Sequence, residues 1–118
     1  MPAIDYEAEY NNRRAVPDHE AISAPLVKAS AEWRAEGDML ADQSYGPGER
    51  QRFDLFRARR AGSASAPLVV YIHGGYWQRG DRKAVSFVAR ALNARGIDVA
   101  CPSYSLAPAA PVSAIVDD

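Results

Sequence analysis

The sequence feature that most constrains the fold is a continuous apolar run that ends in two glycines. Residues 67–75 read PLVVYIHGG, and the part before the histidine is rich in valine. Such a run is typical of a strand buried on both faces of a parallel sheet. Glycine is used where φ is positive or where backbone must approach a ligand closely. Because open α/β sheets bind ligands at the carboxyl ends of their strands, Gly74 and Gly75 mark a candidate site.

The first third of the chain is predicted to be helical. Residues 1–36 are expected to form a separate helical segment in several pieces, with Asp18 at a helix N-cap. Pro25 is expected to punctuate this segment and to start a helix that closes at Gly37.

Residues 37–118 are predicted to form a partial α/β domain. Two strands flank the turn Gly46–Glu49 and should form an antiparallel hairpin. The run that ends in His-Gly-Gly, an amphipathic helix over residues 82–96 and a second apolar strand then make a βαβ unit in a mostly parallel sheet. Gly96 is expected to supply the left-handed C-terminal cap of this helix. Residues 110–118 begin another helix and stop within it. The chain is therefore expected to be the N-terminal part of a longer α/β protein.

Composition excludes several function classes. The 118 residues include 14 basic and 15 acidic side chains, a balance that argues against nucleic-acid binding. The longest apolar run is far shorter than the ~20 residues that a membrane helix needs. The acidic, polar N-terminus does not resemble a secretory signal. A single cysteine, Cys101, excludes an internal disulfide, so a cytoplasmic location is predicted.

The segment HGGYW, residues 73–77, has two interpretations. One is a tight turn between a strand and a loop, with aromatic side chains packed around it. The other is a set of backbone N–H groups without sheet partners, aimed at a carbonyl oxygen. Such donors stabilise the oxyanion of a tetrahedral intermediate, and the loss of one costs roughly 3–4 kcal/mol of barrier. The βαβ context favours the second interpretation.

The order of motifs resembles the α/β-hydrolase superfamily. A strand, HGGYW, RGD, a helix, a second strand and YSLAP follow one another, and the HGG-type loop is the oxyanion motif of lipases and esterases. YNNR near the start and YGPGERQRFDLF before the motif resemble the arylformamidase (kynurenine formamidase) branch. The resemblance covers essentially the whole chain and implies the N-terminal part of an α/β-hydrolase fold.

The resemblance also implies roles for individual residues. Backbone N–H groups of Gly74, Gly75 and Tyr76 would form the oxyanion hole, and His73 would shape the loop without acting as a base. Tyr76 and Trp77 would contact substrate at the rim of the site. The implied substrate is a small molecule, either an aryl formamide such as N-formylkynurenine or a small ester. No cofactor, metal, nucleic acid or membrane is implied.

The nucleophile of this superfamily lies in a G-x-S-x-G motif, and this sequence contains none. GSASA, from Gly62, has alanine in place of the serine and no closing glycine. The Ser-His-Asp triad is therefore absent from the chain. Two alternatives remain beside the formamidase interpretation: a general carboxylesterase, or a catalytically inert fragment or remnant. An incomplete sheet would also expose an unpaired edge, which predicts self-association.

Other reactive residues are predicted to be structural. His19 is expected to be solvated or at a helix end, and Cys101 to be a buried, inert thiol. Two histidines and one cysteine make a metal site improbable. Asp81 of the RGD sequence is expected to cap the following helix. The Gly-Pro-Gly sequence is a turn and not a phosphate-binding loop.

Overall fold

The computed structural model describes residues 3–60 and 65–118, in which helices precede and flank a four-stranded sheet. Residues 61–64, which include the first three residues of the GSASA sequence, lie outside the described residues. The helices are α1 (Tyr6–Tyr10), α2 (Asn12–Ala15), α3 (His19–Glu36), α4 (Val88–Asn93) and α5 (Val112–Asp117), and the strands are β1 (Asp38–Ser44), β2 (Arg52–Arg57), β3 (Leu68–Val70) and β4 (Asp98–Pro102).

The sheet is mixed, with strand order β1-β2-β4-β3. The predicted hairpin is confirmed, since β1 and β2 pair antiparallel. β4 pairs antiparallel with β2 and parallel with β3, so the predicted βαβ unit is also present. This topology places the carboxyl end of β3 beside that of β4.

The N-terminal helices differ from the prediction at Pro25. Asp18 is the N-cap residue of α3, as predicted, but α3 runs from His19 through Pro25 without a break. A proline inside a helix lacks one N–H donor and crowds the preceding turn. The predicted helix start at Pro25 is therefore wrong. The predicted end is confirmed, because Gly37 is the C-cap and donates its N–H to the Trp33 carbonyl at 2.8 Å.

The helix between β3 and β4 is shorter than predicted. Residues Arg82–Ala84 form a 3-10 turn, and only Val88–Asn93 are α-helical. The Asp81 carboxylate accepts a hydrogen bond from the Lys83 N–H at 2.8 Å, so the predicted cap is confirmed. Gly96 has a φ of +78°, the left-handed conformation predicted for the C-terminal end of this helix.

The prediction that the valine-rich strand is buried on both faces is wrong for the described residues. Leu68, Val70 and Ile72 are 57%, 56% and 66% exposed. β3 is the last strand of the sheet, so it has a hydrogen-bonded neighbour on only one side. Its apolar composition therefore exceeds what this sheet buries.

The apolar core lies between β2, β4 and the helices. Its buried members are Phe56, Ala89, Val99 and Cys101. Trp33 and Leu92 pack against them from α3 and α4. Across the described residues, no helix has the length and apolar character needed to cross a membrane.

A buried carboxylate connects α3 to the sheet. Asp54 on β2 is fully buried and accepts hydrogen bonds from the Asp42 N–H at 2.8 Å and from Arg34 Nη1 at 2.5 Å. Arg82 Nε lies 3.1 Å from the same carboxylate. Burial raises the pKa of Asp54, but the hydrogen bonds from Asp42 and Arg34 and the two guanidinium charges outweigh it and lower the pKa overall. Asp54 is therefore a charged, paired group inside the fold.

Candidate active site

The loop that follows β3 starts where the sheet ladder ends. The Tyr71 N–H donates to the Ala100 carbonyl at 2.8 Å, as a further residue of the parallel ladder. Beyond it the chain turns sharply, and both Gln78 and Arg79 donate their N–H groups to the Gly75 carbonyl at 3.0 and 3.1 Å. These two bonds close the turn on itself directly after the sheet edge.

Positive φ angles concentrate in this turn. Gly75 has a φ of +139°, Tyr76 of +54°, Trp77 of +55° and Gly80 of +103°. Non-glycine residues with positive φ are uncommon, and two in succession indicate a backbone that the surrounding structure holds in place. The turn is therefore a defined conformation and not a generic loop.

The glycines of this turn are not equivalent. A Cβ at Gly75 would lie 2.1 Å from the Arg79 carbonyl oxygen, and one at Gly80 would lie 2.4 Å from His73 Nδ1. A Cβ at Gly74 would meet nothing within 4 Å. Gly75 and Gly80 are thus required by both φ and space, whereas Gly74 is required by neither.

Consecutive backbone N–H groups from residue 72 to residue 77 have no acceptor among the described residues. In the described ranges, no protein group accepts a hydrogen bond from the backbone N–H of Gly74, Gly75 or Tyr76. Successive N–H groups of this kind form a concave site for an anion or a polarised oxygen. Gly74, Gly75 and Tyr76, to which the sequence assigns oxyanion donors, lie within this run of unused donors.

These donors border a large open cavity of about 1250 Å³. Leu68, Val70 and Ile72 line it from the sheet, and Tyr76 and Trp77 line it from the loop. Both aromatic side chains are about half exposed, which places them at the rim. The cavity thus combines an apolar wall with a few polar groups, as small-molecule sites do.

His73 is buried beneath the loop and contacts the loop's own backbone. Its Nδ1 lies 2.9 Å from the Gly74 carbonyl oxygen. A carbonyl only accepts hydrogen bonds, so Nδ1 is the donor in this contact. Nε2 is buried and has no partner among the described residues. No serine or cysteine contacts the ring in this part of the chain, so His73 has no nucleophile to activate here.

Tyr104, just after β4, packs against His73. The two rings are stacked with centroids 4.4 Å apart and an interplanar angle of 16°. The Tyr104 hydroxyl donates to the His73 carbonyl at 2.6 Å. Burial raises the pKa of this hydroxyl, partly offset by the charge of Arg50, so it stays protonated at neutral pH.

Arg50, from the turn between β1 and β2, reaches both segments. Its Nε donates to the Tyr104 carbonyl at 2.7 Å and its Nη2 to the Gly80 carbonyl at 2.8 Å. Nη1 lies 3.7 Å from the Asp81 carboxylate. One side chain therefore ties the hairpin to the loop and to the segment after β4.

The remaining predicted residues lie away from the free donors or are inert. His19 is the first residue of α3, the predicted helix end, and is half-buried at the cavity wall. Cys101 is fully buried, and burial raises the pKa of its thiol to about 11, with a smaller contribution from Asp54. Among residues 3–60 and 65–118, no three His, Cys, Asp or Glu side chains are grouped to hold a metal ion.

The sequence did not identify Arg50, Gly80 and Tyr104 as site residues. Arg50 and Tyr104 lie in the segments GPGER and YSLAP, which carry the family resemblance without indicating a role for either side chain. Their function depends on which backbone carbonyls they reach, and that is fixed by the sheet order and not by local sequence.

Comparison with curated proteins finds kynurenine formamidases. The enzyme from Danio rerio is 34% identical over 115 residues, which are 92% of this chain and 39% of the relative. The enzyme from Salmo salar is 31% identical over 103 residues, which are 86% of this chain and 34% of the relative. The chain thus spans little more than a third of the length of these relatives. No protein-family model matches the sequence.

Solved structures give the same fold. A Silicibacter protein assigned as a thioesterase superposes with a TM-score of 0.81 and 28% identity, over 96% of this chain and 43% of that protein. The chain contains part of an α/β-hydrolase fold. Esterase B from Lactobacillus rhamnosis also matches, with a TM-score of 0.64 and 24% identity over 88% of this chain and 35% of the esterase. The predicted resemblance to the formamidase and esterase branches is confirmed.

Proposed function

We propose that this chain supplies the oxyanion-binding half of an α/β-hydrolase that cleaves aryl formamides, such as N-formylkynurenine, or small esters. The carrying observation is the run of unused N–H groups that includes Gly74, Gly75 and Tyr76, beside an apolar cavity. The similarity to kynurenine formamidases over most of this chain supports an aryl formamide as the substrate. The similarity to esterases supports the carboxylesterase alternative.

In this mechanism the chain's residues act on the carbonyl group. The substrate carbonyl oxygen accepts hydrogen bonds from the Gly75 and Tyr76 N–H groups, with Gly74 as a third donor. Negative charge that develops on this oxygen during attack is stabilised by donors already in place. Tyr76 and Trp77 contact the aryl or acyl group at the rim. The attacking serine and its His and Asp partners come from chain that this sequence does not contain.

The 118-residue chain by itself is then catalytically inert. We expect no hydrolysis of N-formylkynurenine or p-nitrophenyl acetate above the buffer rate, because an oxyanion hole without a nucleophile leaves only weak catalysis. Turnover above buffer that is abolished by Gly75→Pro would refute this part of the proposal.

The oxyanion role is tested in an enzyme that has a nucleophile. This chain replaces the matching segment of the Danio rerio kynurenine formamidase, and the Tyr76 N–H is removed by incorporating the α-hydroxy analogue of tyrosine, which turns one amide into an ester. We expect kcat to fall about 10²–10³-fold, as for loss of one oxyanion donor. The matched control is the same replacement at Tyr71, whose N–H serves the sheet. Equal kcat losses at both positions would contradict the proposal.

The same chimera separates the two substrate classes. A larger kcat/KM for N-formylkynurenine than for p-nitrophenyl acetate supports the formamidase assignment, and the reverse order supports the carboxylesterase.

We further propose a cytoplasmic location and self-association through the free edge of β3, where exposed apolar residues adjoin unpaired backbone groups.

A further inference from the structure

Contacts around the loop form a connected path from the hairpin to the free N–H groups. Arg50 holds the carbonyls of Gly80 and Tyr104, Tyr104 holds the carbonyl of His73, and His73 holds the carbonyl of Gly74. Each step is a hydrogen bond of 2.6–2.9 Å. The path ends at the Gly74 carbonyl, in the same peptide unit as the Gly75 N–H.

We infer that Arg50 and Tyr104 are positioning residues that, through His73, fix the direction of the Gly75 N–H. This inference rests on the proposed oxyanion function of the loop. It assigns a role to two side chains that do not themselves supply the oxyanion donors, one in the turn between β1 and β2 and one after β4.

The geometry of the peptide bond makes the connection physical. The bond between Gly74 and Gly75 is trans, so its C=O and N–H point in opposite directions across one plane. The His73 Nδ1–H holds the carbonyl of this peptide on the buried side. The Gly75 N–H is thereby directed to the opposite side. Rotation of the plane would break the bond to His73 before it could turn the N–H away.

Tyr104 keeps the His73 ring in the position that this bond requires. Its ring stacks on the His73 imidazole, and its hydroxyl donates a hydrogen bond to the His73 backbone carbonyl. The hydroxyl oxygen lies 3.4 Å from Nδ1, so it is a second acceptor near the Nδ1–H. Gly80 completes the arrangement, because a Cβ there would lie 2.4 Å from Nδ1 and 2.6 Å from the Gly74 oxygen. The Gly80 backbone therefore packs directly against the His73 ring and leaves no room for a side chain at residue 80.

Arg50 holds both residues that pack against the His73 ring, Tyr104 and Gly80. Its planar guanidinium reaches two carbonyls from two different nitrogens, and the Asp81 carboxylate lies on its third. A lysine has one charged nitrogen on a flexible stem and does not reproduce this fork. Arg50→Lys therefore keeps the charge and loses the geometry.

The test starts with the full 118-residue chain, in Arg50→Lys and Tyr104→Phe variants. One control is Arg52→Lys, which alters an arginine in β2 that also donates hydrogen bonds to carbonyls. The other is Tyr45→Phe, which removes a hydrogen bond from a tyrosine hydroxyl to the Ser103 carbonyl. Amide spectra by NMR should show shifts and faster hydrogen exchange at residues 73–80 in the two test variants only. Long-range ¹H–¹⁵N spectra should show the Nδ1–H tautomer of His73 in the unaltered chain.

Two results overturn the inference. One is loop amides in Tyr104→Phe and Arg50→Lys that match those of the unaltered chain. The other is a change that spreads equally through β4, including any loss of folding, since that reveals a general structural role.

The formamidase chimera separates this inference from the proposed function. Both test variants should lower kcat about 10–100-fold with little change in KM, because misplaced donors act on the transition state. If the ester at Tyr76 leaves kcat unchanged while the NMR changes occur, the oxyanion function fails and the positioning contacts stand. If that ester lowers kcat and the Arg50 and Tyr104 variants do not, the positioning inference fails alone.

Discussion

Gly74 and Gly75 are adjacent but differ in backbone conformation and in surrounding space. Gly75 combines a φ of +139° with an Arg79 oxygen 2.1 Å from the position of a Cβ, whereas Gly74 has open space. We expect Gly75→Ala to lower the free energy of unfolding by about 1–3 kcal/mol, the range for strained backbone. Gly74→Ala should change it little. Urea unfolding followed by circular dichroism measures both free energies. Equal losses in the two variants would contradict the different backbone conformations of the two glycines.

The charge of Asp54, which is buried and paired with two arginines, stabilises the fold. Its pKa is lowered in the folded chain, so its stabilisation is fully present above the unfolded value of about 3.9 and is lost as pH falls through the folded value. Asp54→Asn leaves Arg34 and Arg82 without their buried partner, at a cost of about 3–5 kcal/mol at neutral pH.

The control for Asp54 is Asp38→Asn, which removes an exposed ion pair with Arg57. Exposed pairs contribute about 0–1 kcal/mol, so this variant should stay close to the unaltered chain. Urea midpoints between pH 7 and pH 3 should fall less steeply in Asp54→Asn than in Asp38→Asn. Parallel pH profiles would contradict a charged, stabilising Asp54.

At the scale of elements, local signals were reliable where they act locally. The hairpin turn, the Asp81 cap and the left-handed Gly96 depend on a few neighbouring residues and were predicted. The length of α4 was not predicted, because residues 82–87 are held by distant side chains. The Phe87 N–H donates to the Ser30 hydroxyl of α3, and the Arg82 N–H donates to the Ser103 hydroxyl after β4. Asp54 and Phe56 are buried together on one face of β2, and local sequence does not reveal the arginines that make a buried carboxylate tolerable.

The site shows the same division. HGGYW is recognisable from sequence because two glycines and two aromatics at the end of an apolar strand form a contiguous, unusual pattern. Arg50 and Tyr104 act across 54 residues of sequence, through backbone carbonyls that every residue has. No local pattern distinguishes such an arginine from a solvated one. Sequence therefore predicts the donors of the proposed site but not the side chains that contact their loop.

Pro25 is the local rule that the structure of α3 overrides. A proline in a helix interior costs about 3 kcal/mol, yet α3 continues through it. We expect Pro25→Ala to stabilise the chain by up to about 3 kcal/mol. Pro17→Ala, outside the helix, should instead destabilise slightly, by about 0.4–1 kcal/mol, because it frees the unfolded chain. Thermal unfolding compares the two, and a loss of stability in Pro25→Ala would show a specific role for the proline.

At the scale of the whole molecule, the sheet is asymmetric. β2 and β4 are paired on both sides and carry the core, whereas β3 has one free edge and exposed apolar side chains. Residues 68–72 contain no charged residue or proline, the features with which natural sheets protect their edges. The relatives are more than twice as long as this chain.

The free edge makes association of two copies through β3 the expected behaviour of the 118-residue chain. A charge on this strand should prevent it, because a lysine in the new interface would be buried without a partner. We expect Val70→Lys to shift the chain toward monomer in sedimentation velocity at rising concentration. Ile4→Lys, at an exposed apolar residue far along the sequence, is the control and should associate like the unaltered chain. If both variants, or neither, become monomeric, the contact lies elsewhere, since only an interface at β3 makes the two lysines differ.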